Sequence, residues 1–162
     1  MFSGSEEIFM KEIIVYEMSF KERLNYKEDI ICIPFQKKYW NGYMKIYNEC
    51  FYEMRKDLEI EPVDFYSSYS QIKDKINDIF IYIQNGIIAG AVSCYGNEID
   101  DLIVNKIFQG QGLGKKLLLW GMNHIKEQGD EEIVLHVAEW NQNAVKLYLK
   151  TGFNIRRKEK IH

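Results

Sequence analysis

The stretch EIDDLIVNKIFQGQGLGKK, residues 98–116, decides how the rest of the sequence is read. Its first seven residues have the composition of a strand, but their phase is faulty. Ile99 and Leu102 are three apart, whereas Leu102 and Val104 are two apart. Strict alternation would bury Asp101 or expose Leu102, and one extra residue, a β-bulge near Asp100–Asp101, restores the phase. Gly110, Gly112 and Gly114 follow, between this strand and a helix. Glycines there let the backbone approach a ligand. The first N–H groups of a helix have no internal partner and its N-terminus is partly positive, so the turn suits phosphates. Lys115 and Lys116 add charge. A plain β-to-α turn would show the same glycines. Spacing excludes two common phosphate loops. Residue 109 is Gln where a P-loop needs Gly, and G-x-G-x-G after a hairpin is not the dinucleotide fingerprint of an opening βαβ unit.

Upstream, IFIYI at 79–83 and IIAGAVSCY at 87–95 flank Gln84-Asn85-Gly86, and Asn-Gly between β runs signals a hairpin. Before them, Trp40, Met44, Tyr47, Phe51 and Met54 recur at steps of three and four, with Tyr39, Tyr43, Ile46 and Cys50 beside them. This is a helix with a broad apolar face, ended before Pro62. Asp64 is expected to cap a second, shorter helix through about Ile76. IICIPF at 30–35 reads as a short strand, placed by Pro34 near an edge or an end. EIIVYEMSF at 12–20 reads as another, and the first ten residues read as frayed.

Downstream, the helix opened by the glycines runs to Gly129. Gly121 inside it implies close packing, since Gly there costs about 1 kcal/mol relative to Ala. EEIVLHVAEW at 131–140 is a strand with Ile133, Leu135 and Val137 on one face. Asn141 caps a helix that Gly152 ends, and FNIRRKEKIH forms a last strand. The order β-β-α-α-β-β-β-α-β-α-β makes one α+β domain: a mixed, mainly antiparallel sheet flanked by helices.

The 162 residues suffice for one self-supporting domain. A net charge of −3 argues against a general nucleic-acid surface, which is basic. Cys32, Cys50 and Cys94 form neither a disulfide framework nor a zinc pattern and read as reduced thiols in a cytoplasmic protein. No His/Cys/Asp/Glu cluster has metal-ligand spacing. The acidic N-terminus is no secretion signal, and no apolar run approaches the roughly 20 residues of a membrane span. Eleven tyrosines are the compositional oddity.

Two segments together resemble the GCN5-related N-acetyltransferases. Gln109-Gly110-Gln111-Gly112-Leu113-Gly114 is similar to the family's Q/R-x-x-G-x-G/A motif, in its place between the fourth core strand and the third helix. Asn141-x-x-Ala144-x-x-x-Tyr148-x-x-x-Gly152-Phe153 resembles the family's N-x-x-A-x-x-x-Y-x-x-x-G-F segment. The order of elements agrees from residue 29 to the end, about four fifths of the chain. The resemblance implies the acyl-CoA N-acyltransferase fold. Residues 1–162 form a single domain, with residues 1–28 an extension carrying an extra strand ahead of the family core at 29–162.

It also implies an acetyl-CoA-dependent N-acetyltransferase. In the family the fourth and fifth core strands splay below a bulge, and the pantetheine arm lies in the gap. By resemblance, backbone groups of Leu102, Ile103 and Val104 meet the pantetheine amides. Residues Gln109 to Lys115 hold the pyrophosphate, and Asn141 and Ala144 face the arm. Tyr148 matches the tyrosine that protonates the departing thiolate. The base is less determined, since the family uses a carboxylate, a histidine or a water chain. His136, five residues before Asn141, lies where the branch that acetylates ribosomal-protein N-termini has a glutamate, and a neutral imidazole suits the task. Glu98, Asp100 and Asp101 are its rivals.

The acceptor is expected against the first two helices. Tyr39, Tyr43, Tyr47, Glu59, Glu61, Asp64, Tyr66 and Tyr69 lie there, and aromatic faces with carboxylates suit a cationic amine. Those tyrosines equally fit a thick aromatic core. The partner is therefore a small-molecule or peptide amine, with no nucleic acid and no membrane, and a homodimer is left open. Two other activities share the resemblance: a non-catalytic acyl-CoA sensor or scaffold, and a toxin-type enzyme acting on charged tRNA, which the net charge disfavours.

Overall fold

The computed structural model describes residues 7–9, 11–25, 29–129 and 132–161. In chain order the strands are β1 (Ile8–Phe9), β2 (Ile13–Phe20) and β3 (Ile33–Pro34), then helix α1 (Trp40–Asp57) and β4 (Ile60–Glu61). There follow β5 (Ile79–Gln84), β6 (Ile87–Tyr95), β7 (Glu98–Val104), α2 (Leu113–Glu127), β8 (Ile133–Ala138), α3 (Gln142–Thr151) and β9 (Asn154–Ile161). Seven strands form one sheet in the order β3-β5-β6-β7-β8-β2-β9, and β1 pairs with β4 apart from it. All pairings are antiparallel except β7 with β8.

The local signals explain most of this. Asn85 and Gly86 both take positive φ, as a two-residue hairpin turn requires, and they join β5 to β6. β7 carries the expected bulge, but burial still alternates strictly along it, so Asp101 is buried and Leu102 only half-buried all the same. Val92 faces Leu102 and Cys94 faces Ile99, so two steps on β6 oppose three on β7. α2 and α3 cover one face of the sheet, where Leu118, Met122, Ile125, Val145 and Tyr148 pack on Met18, Val92, Ile99, Leu135 and Val137. α1 covers part of the other, where Tyr43, Ile46 and Tyr47 pack on Ile79, Ile81, Ala91 and Ile103. Gly121 lets α2 lie close, because a Cβ there would come within 2.9 Å of Ile99 Cδ1 and 3.1 Å of Val92 Cγ2.

Two expectations change. No second α-helix runs from Asp64 to Ile76. Phe65, Tyr66 and Ile72 are buried from an irregular path, although their spacing would also fit one face of a helix. The cap there is Ser68, which closes a capping box with Gln71 around a single 3-10 turn, Tyr69–Gln71. Within the segment read as frayed, Ile8–Phe9 are paired with Glu61 and Ile60, and Glu7 forms an ion pair with buried Arg55. The rest of that segment, residues 1–6 and 10, lies outside the described residues, as does residue 131 of the expected 131–140 strand. The extra N-terminal strand lies inside the sheet. β2 runs between β8 and β9, paired to both along its length.

Candidate active site

β7 and β8 pair only at Glu98 with Val134 and Ile99 with Leu135. Beyond the bulge they part, and residues 100–104 have no strand on that side among the described residues. The gap opens a cavity of about 340 Å³. Leu102, Ile103 and Val104 line it along β7, Gln109 and Gly114 at the glycine turn, and Asn141, Ala144 and Tyr148 on the α3 side. His136 and Asp100 line it too. Of the thirteen residues the resemblance assigned to the cosubstrate, eight therefore face one space. Gly110, Gln111, Gly112 and Lys115 are exposed in the adjoining turn, and Leu113 is buried beneath it.

The backbone of the turn leaves amides unpaired by the helix, as an anion site needs. Gly110 and Gly112 take φ of +81° and +78°, a left-handed conformation that favours glycine. Gly112 is the N-cap of α2 and provides no side-chain cap. The first intrahelical bond is donated by the Lys116 N–H to the Gly112 carbonyl, so the amides ahead of it point outward with the helix dipole behind them. No side chain at 110 or 112 stands in the way. The Val104 carbonyl accepts from Cys50 Sγ at 3.1 Å and from Gln109 Nε2 at 3.2 Å. The lower end of the open strand is thus tied to α1 and to the turn.

On the opposite wall, Asn141 caps α3, its Oδ1 accepting from the Ala144 N–H at 3.3 Å. The Tyr148 ring is buried edge-on against Phe153, with centroids 6.0 Å apart. Burial pushes its phenol well above the usual range, and the charge of Asp101 adds to that. The hydroxyl therefore holds its proton through neutral pH. Asp101, at the bulge, is itself buried. Burial raises its carboxyl, and Asp100 beside it raises it further.

His136 is held from both sides. Its Nδ1 lies 2.9 Å from Glu98 Oε1 on β7, and its Nε2 lies 3.1 Å from Glu17 Oε1 on β2. Glu17 also accepts from Arg156 Nε at 2.9 Å and from an Arg157 terminal nitrogen at 3.1 Å, both on β9. Consecutive residues of a strand normally point to opposite faces. A register shift between Glu17 and Met18 leaves Arg156 opposite no residue of β2, so both guanidiniums reach one carboxylate. Burial alone would raise the Glu17 carboxyl, but hydrogen bonds from His136 and Arg156 outweigh it and hold the group below the usual range. Sequence reading missed Glu17. The available signal was a lone carboxylate inside an otherwise apolar strand. Cys50, Phe51, Asn143 and Leu147 also line the cavity, and no sequence motif marks them.

The tyrosines between α1 and β5 turn inward. Tyr43, Tyr47 and Tyr66 are buried, with ring centroids 4.5 to 6.0 Å apart, and none lines the cavity. They form the aromatic core under α1, while Glu59, Glu61 and Asp64 stay exposed. Among the described residues no group of three or more His, Cys, Asp or Glu is placed to hold a metal ion, and no helix is long and apolar enough to cross a membrane.

The sequence pattern of the acetyltransferase (GNAT) family matches residues 40–153. A mycothiol acetyltransferase of Thermobifida fusca is 33% identical over 81 residues, half of this chain and 23% of that protein. The chain thus matches about a quarter of that curated relative's length. Among solved structures, a PaiA N-acetyltransferase of Thermoplasma acidophilum in complex with coenzyme A superposes with a TM-score of 0.65 at 17% identity, over 82% of this chain and 99% of that one. The YncA protein of Salmonella typhimurium, solved with acetyl-CoA, superposes with a TM-score of 0.58 at 17% identity, over 80% of this chain and 82% of that one.

Proposed function

From the premise that this chain belongs to the acetyltransferase (GNAT) family, we propose that it transfers the acetyl group of acetyl-CoA to a primary amine of a small molecule or peptide. The transfer is a direct attack in a ternary complex. The observation that carries this reading is the parting of β7 and β8 beyond the bulge. It opens one cavity onto the glycine turn, Tyr148 and His136 together.

The outward amides of residues 109–115 receive the pyrophosphate, and the open side of Leu102–Val104 receives the amides of the pantetheine arm. His136 takes the proton of the acceptor ammonium. The freed nitrogen lone pair then forms a C–N bond to the thioester carbonyl, the adduct nitrogen gives up its second proton to solvent, and the C–S bond breaks with its electron pair on sulfur. Tyr148 donates its phenolic proton to that sulfur, and solvent restores both groups. Asp100 is a second reading for the base, favoured by its place in the cavity wall with His136, whereas buried Asp101 does not line the cavity. A pH–rate profile separates the two. His136→Ala removes the acidic limb if His136 is the base and leaves its apparent pKa and height unchanged if Asp100 is.

The test of the function is thiol release from acetyl-CoA across a panel of primary amines, peptide N-termini and aminoacyl-tRNA. Release with an amine or peptide supports the reading. Binding of acetyl-CoA with no release on any acceptor would instead make the chain a sensor or scaffold.

A further inference from the structure

His136 lies between two carboxylates that differ in freedom. The Glu17 side chain is 7% exposed and tied to Arg156 and Arg157. The Glu98 side chain is 36% exposed and starts β7. A doubly protonated imidazole satisfies both. Once it loses a proton, one nitrogen must present a lone pair to a carboxylate, which is repulsive unless that carboxylate turns away. Glu98 is free to turn. Glu17 would have to leave two guanidiniums. The two nitrogens also face different ways. β8 has β2 on one side and β7 with the cavity on the other, so Nε2 faces the sheet interior and Nδ1 the cleft side.

We infer that Glu17, supplied by the strand inserted between β8 and β9, is a positioning residue that fixes neutral His136 as the Nε2–H tautomer and leaves Nδ1 as the nitrogen that exchanges a proton at the cleft. The charged groups around the ring are Glu98 and Asp100 from β7, Glu17 from β2, and Arg156 and Arg157 from β9. Glu132, just before β8, is paired with Arg156. The guanidiniums hydrogen-bond to Glu17 and not to the imidazole. β2 thus contributes to the site as well as to the sheet.

The inference rests on the proposed function only where it gives Nδ1 a catalytic use, and its test is spectroscopic. Nitrogen-15 NMR of the imidazole across pH reports tautomer and pKa without any acceptor. Neutral His136 in the wild-type chain is expected as Nε2–H. Glu17→Leu, which removes the acceptor, should turn the neutral ring to Nδ1–H on Glu98. Glu98→Gln, at a more exposed position, should keep Nε2–H and serves if Glu17→Leu fails to fold. An Nδ1–H tautomer in the wild type or in Glu98→Gln overturns the inference, as does an Nε2–H tautomer that persists in folded Glu17→Leu. A chain that acetylates no amine yet shows the expected tautomers would sink the proposed function alone.

Discussion

The Tyr148 phenol lines the cavity while its ring is held by Phe153. Removing the hydroxyl should therefore leave cosubstrate binding almost intact and remove proton donation. Tyr148→Phe is expected to lower kcat by about 10²-fold or more, with acetyl-CoA affinity from calorimetry nearly unchanged. An unchanged kcat would take the proton-donor role from Tyr148. Glu17 makes a different prediction. Its carboxyl is held below the usual range, so its stabilising effect is fully present above the unfolded pKa of about 4.3 and is lost as pH falls through the lower folded value. The urea midpoint of Glu17→Gln should fall below that of wild type at pH 7, and the gap should narrow below about pH 4. A gap that persists at pH 3 would mean that Glu17 acts through shape rather than charge. Tyr148 was legible in the sequence because its spacing from Asn141 and Gly152 is local. Glu17 was not, because its partners are 119 to 140 residues away.

At the scale of elements, the glycine turn and the bulge were both readable, since each follows from short-range rules of phase and backbone freedom. Gly112 carries the sharper consequence. A methyl there meets nothing within 4 Å, but its φ of +78° is one that L-residues adopt at a cost. Gly112→Ala should destabilise the chain by about 1–2 kcal/mol and weaken acetyl-CoA binding, as the amides ahead of α2 relax from their outward set. Thermal unfolding and calorimetry check both, and unchanged acetyl-CoA affinity would disconnect the turn from the pyrophosphate. The stretch from Asp64 to Ile76 was misread for a complementary reason. Asp64 has the chemistry of an N-cap, but the path is set by burying Phe65, Tyr66 and Ile72 under α1, a demand from outside the segment. The tyrosines of α1 show the same limit. Their helical spacing announced a broad apolar face, yet only packing decided that Tyr43 and Tyr47 form core rather than a pocket wall.

For the molecule as a whole, the decisive feature is the position of β2. It pairs with β8 over Val15–Phe20 and with β9 over Ile13–Ser19. It also contributes Met18 and Phe20 to the larger core. Deleting residues 1–22 would part β8 from β9 and expose that core. The shortened chain is expected to lose cooperative thermal unfolding, although both motifs of the resemblance remain in it. A cooperatively folded, acetyl-CoA-binding 23–162 fragment would show that β2 is dispensable.

By itself the sequence determined the α+β class, the hairpin, the bulge, the glycine turn and the place of Tyr148. Each of these is written in residues within a few positions of one another, where phase, capping and backbone freedom act. Only the tertiary structure decided that β2 runs inside the sheet, that the α1 tyrosines turn inward and that Glu17 meets His136, Arg156 and Arg157. Strand order and burial are settled by which apolar faces can be covered together, and no local pattern encodes that choice.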